Sequence, residues 1–519
     1  MRRLLVPLLL HSFAWAAPPS SVEEARTDLA HGRYDLAERK LKKLGRSLAA
    51  RLELAQLYEE TDRTDKAEAI WHEIIDLPRR AHSPEQLVAA GIAARGLREY
   101  DTAHELFRAA VHLAPRQAVA HREWSANFLR TEALDEARTE CDAALAIAPE
   151  DAAAHLLRAE IALAEGDRRK AGHELERALQ RTPTDPAALA LAAALALDEE
   201  NSVELKKHTD ALRAIHPQDE RLLAIEFVAR RLAGEAKVPD LRPARFYHYA
   251  AERLLRHQRY PEAVELERRA LALRPDEASI EAALGEALLL LGVEQEKEAL
   301  RLLAAAYRRD RFQRRVYELI HLFQEVLPQE YALLESPPFH LRIPQAQREK
   351  IEPALRVLLQ SAWREFSERY QVVPPPVTVE LYENPIDYEL RTGGFYQGMT
   401  TGRVVALQLA GNWQRVLWHE LSHVFALARS HGRVPRWLAE GLAELETARH
   451  DPAWRRRCPN FAPAEPGQLQ QAFLLARGPA ELETAYCQAI EAVERLRRHI
   501  GDEELLKRLD RSEPAAAVP

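Results

Sequence analysis

Cysteine is scarce, with three residues in 519, at positions 141, 458 and 487. So low a count excludes a fold stapled by a disulfide framework. After the first twenty residues, no apolar run approaches the roughly 20 residues that cross a bilayer. Neither sign of charge dominates: 72 Lys and Arg stand against 80 Asp and Glu, for a net charge of −8. With both signs interspersed, there is no basic surface for nucleic acid or an anionic membrane, and the charge runs are most simply solvated helix faces. A chain this long is expected to hold more than one domain.

The chain starts Met1-Arg-Arg, runs through mostly apolar residues from Leu4 to Trp15, and then presents Ala14-Trp15-Ala16. A basic start, a short apolar run and a small-x-small site predict a secretory signal peptide over 1–17, cut after Ala16 or Ala17. Pro7 and His11 interrupt the run, which is too short for a membrane span. No cysteine follows to take a lipid anchor. The mature protein is therefore expected in the periplasm or the medium. In that oxidising compartment Cys458 and Cys487 could pair, whereas Cys141 is expected in the core.

From Val22 to about Asp310 the chain is rich in Ala, Leu, Glu and Arg, and it repeats. Pro115, Pro149, Pro183 and Pro217 are 34 residues apart. Ala103, Ala137 and Ala171 keep the same period, as do Ala110, Ala144 and Ala178. Ala263, Ala270 and Pro275 restart it, and Ala299 with Ala306 marks a worn copy. Gly32 and Gly166 stand five before their alanines; Tyr34, Tyr100 and Tyr260 stand three before theirs. A 34-residue period with small residues at helix crossings and proline after the second helix is the tetratricopeptide signature. The expected solenoid covers 18–235, breaks at Ala236–Pro243, and resumes over 244–326. Its concave face is expected to bind a peptide or protein partner. A junction from Leu327 through Phe339 then leads to a last domain, 336–510, and a tail, 511–519.

That last domain carries the chemistry. Residues 419–423 read His-Glu-Leu-Ser-His. On a helix, His419 and His423 project from one face toward a single metal ion, with Glu420 placed to reach a water on it. Apolar flanks (Val416-Leu417-Trp418 and Val424–Leu427) predict a buried helix, in which so polar a cluster needs partners. Glu440, within Trp437-Leu-Ala-Glu-Gly-Leu-Ala-Glu444, lies in a second apolar helix pattern. A carboxylate from there would complete three protein ligands and leave a fourth position open, as catalytic zinc sites do. Ahead of the motif, 376–382 and 403–409 read as strands. Gly393–Gly402 reads as a glycine-punctuated turn between them.

Residues 338–500 resemble the gluzincin metallopeptidases, and most of all the bacterial peptidase MA-like domains that follow tetratricopeptide repeats. The resemblance rests on the His-Glu-x-x-His motif and on Trp-Leu-x-Glu-Gly-x-Ala. It implies an α+β thermolysin-like domain with His419, His423 and Glu440 as zinc ligands and Glu420 as general base. Glu444, four residues after Glu440, is either a carboxylate supporting a ligand histidine or an ordinary exposed glutamate. Tyr486 lies in a segment like the family helix that supplies the oxyanion donor, and reads equally as a packing tyrosine. Tyr396, His450 and His499 are weaker donor candidates. In these families a sheet edge over the zinc holds the substrate backbone, and 403–409 is the expected edge. The Gly-x-Met-Glu-Asn signature that grips a free amino terminus is absent. The metzincin pattern fails, since its third ligand would fall at Arg429 and its glycine at Ala426. Two functions follow as expectations: an exported zinc peptidase whose repeats recruit substrate or partner, or a non-catalytic scaffold acting through its repeats.

Overall fold

The computed structural model describes residues 20–45, 47–76, 83–235, 237–394, 397–455, 458, 464, 466–476 and 478–511. The expected signal peptide, Tyr396 and the tail beyond 511 lie outside these residues. Two compact units are present: Arg2–Arg253 with Arg309–Arg314, and Leu254–Arg308 with Arg315–Pro519. Among the described residues, no helix is long and apolar enough to cross a membrane.

The first unit is an array of helical hairpins. Its helices are α1 (Ser20–Ala30), α2 (Tyr34–Lys43), α3 (Leu48–Glu60), α4 (Thr64–Ile75), α5 (Pro84–Gly96), α6 (Tyr100–Leu113) and α7 (Ala118–Arg130). There follow α8 (Leu134–Ile147), α9 (Ala152–Glu165), α10 (Arg168–Arg181), α11 (Pro186–Asp198), α12 (Ser202–Ile215), α13 (Glu220–Leu232) and α14 (Ala244–Arg256). Pro84, Ala118, Ala152, Pro186 and Glu220 open successive first helices at intervals of 34 residues. This is a tetratricopeptide-like repeat, and the sequence explains each boundary. Asp151, Asp185 and Asp219 cap first helices through their carboxylates. Second helices end two residues before Pro115, Pro149, Pro183 and Pro217, because proline cannot continue them. Ala103, Ala137 and Ala171 are fully buried where the paired helices cross.

Within each hairpin the residue five before the crossing position turns left-handed. Arg98 (φ 61°), Glu132 (φ 58°) and Glu200 (φ 55°) occupy the place that Gly166 (φ 82°) fills in its repeat. Gln258, at φ 59°, is the exposed counterpart in the second block. A side chain in that conformation costs about 1–2 kcal/mol, and glycine returns about half of it as unfolded-state entropy. Gln258→Gly should therefore stabilise the protein by about 0.5–1 kcal/mol, read from the denaturant midpoint. A lowered midpoint would contradict this account of the turn.

The array also curls until distant repeats meet. Tyr34 packs edge-on against His216 with ring centroids 5.9 Å apart. A Cβ on Gly32 would lie 2.2 Å from His216 Nε2. Arg245 donates to the carbonyls of Glu59 and Glu60.

The second unit joins further repeat helices to a sheet. α15 (Tyr260–Leu273), α16 (Ala278–Leu289), α17 (Glu296–Arg309) and α18 (Arg314–His321) lead into α19 (Leu327–Glu330). The strands are β1 (Tyr331–Ser336), β2 (Phe339–Pro344), β3 (Val377–Tyr382), β4 (Gly398–Thr400) and β5 (Val404–Gln408). Their order is β1-β2-β3-β5-β4, with β2, β3 and β5 parallel and both outer strands antiparallel to their neighbours. This corrects the expectation that 403–409 forms the edge: β5 is interior, and β4, inside the supposed turn 393–402, is the edge. α20 (Arg348–Tyr370) packs on the sheet, α21 (Pro385–Thr392) follows β3, and α22 (Trp413–Arg429) and α23 (Arg436–His450) follow β5. α24 (Pro452–Arg455), α25 (Pro466–Leu475), α26 (Pro479–Ile500) and α27 (Asp502–Arg511) complete the chain.

Leu341, Val379 and Leu407 share one apolar core with Phe366 of α20 and with Trp418, Leu421 and Phe425 of α22. Burying each of the α22 side chains contributes about 1.5–3 kcal/mol, which fixes that helix against the sheet. Across β3, Glu380 is fully buried between Arg342 (2.5 Å) and Arg391 (2.7 Å), and Arg342 also grips Glu296 of α17 (2.7 Å). Removing one partner would leave an uncompensated buried charge. Cys458 and Cys487 form a disulfide with Cα atoms 5.2 Å apart, and Cys141 is buried among the repeat helices.

Candidate metal centre

On α22 the apolar residues face the sheet core, which leaves His419 and His423 on the side toward α23 and Glu420 beneath β4. α23 packs against α22 and, on another side, lies close to α26 at Gly441, where a Cβ would lie 2.6 Å from Ala489 O. From the α22 side of α23, Glu440 reaches the histidines. His419 Nε2 and His423 Nε2 are 3.2 Å apart. Glu440 Oε2 lies 3.4 Å from the first and 3.2 Å from the second. These three groups form a cluster of convergent donor atoms.

The triangle fits a metal ion. Ligands held about 2.05 Å from a tetrahedral zinc would sit about 3.3 Å from one another. Direct N–H···O hydrogen bonds would draw the atoms in to about 2.9 Å. Glu440 Oε2 is moreover buried with no hydrogen-bond partner, an orphaned acceptor that a cation would satisfy. Its other oxygen lies 3.7 Å from Arg436 Nε. The side chains of His419 and Glu440 keep 14% and 13% of their surface exposed, so the cluster is reachable from solvent.

Charge and burial set the protonation of the metal-free cluster. Burial disfavours the His419 cation, but Glu440 beside it, with Glu444 and Glu420, outweighs burial and raises the imidazole to about 9. Burial works against the Glu440 carboxylate too, and the two histidines with Arg436 overcome it, holding Glu440 well below the usual range. Glu420 moves the other way. Burial raises it, Glu440 adds repulsion, and His423 and His419 offset only part.

β4 runs directly over Glu420. A Cβ at Gly398 would lie 2.6 Å from Glu420 Oε1 and 2.7 Å from Val416 Cγ1, so only glycine leaves the carboxylate in place. The β4–β5 turn is tied to the loop after α16: Thr401 Oγ1 donates to Leu290 O (2.6 Å) and Arg403 pairs with Glu294 (3.2 Å). Tyr486, on α26, sets its ring perpendicular to that of His419 at 6.1 Å and against Phe473 at 5.2 Å. Burial first, and then the Glu440 charge, push its phenol well above the usual value, so it stays protonated and can donate. Glu444 Oε1 lies 3.6 Å from His419 Nδ1 and is buried rather than exposed.

The remaining candidates lie elsewhere. His450 stacks on Trp418 at 4.0 Å, and His499 is exposed on α26. Sequence reasoning missed Gly398, Thr447 (Oγ1 3.5 Å from His419 Nδ1) and Trp454, which donates to Glu444. It also missed Tyr388, a phenol raised chiefly by burial and next by the charge of Glu420. None carries a motif, and the repeated glycine of 393–402 was the only signal that pointed to 398.

No protein-family model and no curated protein matches the chain. Solved structures of helical-repeat proteins do. The Cut9–Hcn1 hetero-tetramer of APC/C is 14% identical over 58% of this chain, with a TM-score of 0.38. This chain covers 54% of that one, about half its length. A tetratricopeptide repeat protein from Parabacteroides merdae is 14% identical, covering 51% of this chain and 96% of its own, at a TM-score of 0.29. Pseudomonas aeruginosa pilF is 15% identical, covering 40% and 95%, at 0.27. The likeness is one of fold, and the repeat assignment rests on the helix period.

Proposed function

We propose that the second unit hydrolyses peptide bonds with a zinc ion held by His419, His423 and Glu440, as a gluzincin-type metallopeptidase. The repeats would bind a protein or peptide, as substrate or as partner. The observation that carries the proposal is the donor triangle of 3.2, 3.2 and 3.4 Å closed on an orphaned buried carboxylate oxygen. A zinc ion in that position supplies Lewis-acid activation of water and of the scissile carbonyl. Glu420, raised by burial and pinned beneath Gly398, accepts the proton of the attacking water. Tyr486, kept protonated, donates to the developing oxyanion. The Cys458–Cys487 disulfide supports an oxidising compartment, periplasmic or extracellular.

Digestion of a broad peptide library by purified protein tests the proposal. Cleavage should occur, stop with a chelator and return with zinc. The scaffold reading is favoured by the unbroken 34-residue register from Pro84 to Leu232, which builds a protein-binding array with no need of catalysis. An inert library with a partner retained on the array would support it instead.

A further inference from the structure

His419 gives Nε2 to the cluster, so its Nδ1 must be fixed from behind. Two oxygens face that nitrogen: Thr447 Oγ1 at 3.5 Å and Glu444 Oε1 at 3.6 Å. The Thr447 hydroxyl donates to Ala443 O at 2.7 Å, which leaves its oxygen to accept. Glu444 Oε2 accepts a 2.7 Å hydrogen bond from Trp454 Nε1. Trp454 lies on the four-residue α24, with the Arg415 guanidinium 3.9 Å from its ring centroid. Arg455 ties the same turn to α26 through Glu491 (2.5 Å) and Glu494 (3.2 Å), and donates to Cys458 O (2.8 Å). Cys458 is in turn bonded to Cys487, next to Tyr486.

We infer that Trp454 is a positioning residue for the metal: its N–H holds Glu444 in the rotamer that faces His419 Nδ1 and so aims Nε2 at the ion. The inference rests on the metal-centre reading above. The Glu444 carboxylate is hydrogen-bonded at Oε2 and turns Oε1 toward His419 at 3.6 Å, whereas with Oε2 released its side chain regains rotamers that leave His419. The disulfide-tethered turn thus acts on a ligand it does not touch.

The test measures zinc dissociation constants by competition with a chelating dye for wild type, Trp454→Phe, Glu444→Gln and the double variant. Phenylalanine keeps an aromatic ring for Arg415 to lie over and deletes the donor, with a smaller ring. Trp454→Phe should weaken zinc about tenfold, and Glu444→Gln about 10- to 100-fold. The double variant should be no weaker than Glu444→Gln alone, because the indole acts through that carboxylate. Trp454→Phe binding like wild type would overturn the inference, as would a double variant weakened by the product of the two effects. Thermal midpoints of the metal-free forms give a second readout: they should stay together while the zinc constants separate. A midpoint falling in step with zinc affinity assigns Trp454 to packing and overturns the positioning role. A wild type that binds no zinc is a distinct outcome, which removes the metal centre itself and the inference with it.

Discussion

Glu420→Gln protein is expected to fold, take up zinc as the wild type does, and cleave peptides about 10²- to 10⁴-fold more slowly. Glutamine matches glutamate in size, so the contact under Gly398 survives and β4 keeps its place. His419, His423 and Glu440 are untouched. What disappears is the group that accepts the water's proton. Steady-state rates of the zinc-loaded wild type and variant check the point. Equal activity in wild type and Glu420→Gln would exclude Glu420 as the base.

The second large effect is on stability. Replacing Cys458 and Cys487 with alanine opens a loop spanning 29 residues, which the chain-entropy relation values at about 3–4 kcal/mol. Both cysteines are buried in the core that holds α22 and α26, so the loss falls on the unit carrying the metal cluster. Denaturant unfolding of oxidised and reduced wild type, compared with the double alanine variant, gives the measurement. The reduced and alanine forms should agree and lie well below the oxidised one. Three coincident midpoints would show that the bond does not hold this unit.

The parts legible in the sequence were those written as spacing. Pro115, Pro149, Pro183 and Pro217 gave the repeat because a proline recurring at one spacing after a helical run marks where each second helix stops. His419 and His423 could be placed on one face, with Glu420 about 100° round the helix, from helix geometry alone, and Glu440 followed from a second apolar pattern. What was lost was long-range or too short to leave a pattern. β4 has three residues inside a glycine-rich stretch. β5 was taken for an edge although Val404-Val-Ala-Leu is a continuous apolar run, the pattern of a strand covered on both faces. β1 lies where the sequence suggested only a junction, and β2 was not read as a strand. The left-handed turns were visible at Gly32 and Gly166 but hidden at Arg98 and Gln258, whose residue types do not signal that conformation. Trp454 and Thr447 support His419 from positions whose neighbours say nothing of metal. Only the approach of α23 and α24 to α22 brings them there.

Zinc content decides the central claim most directly. Wild-type protein loaded with zinc, dialysed and analysed by X-ray absorption should retain about one ion per chain, bound by two imidazoles and a carboxylate. Glu440→Ala treated in parallel should lose it while keeping its helical circular dichroism. A folded wild type that retains no zinc, or a Glu440→Ala variant that retains it in full, would contradict the account.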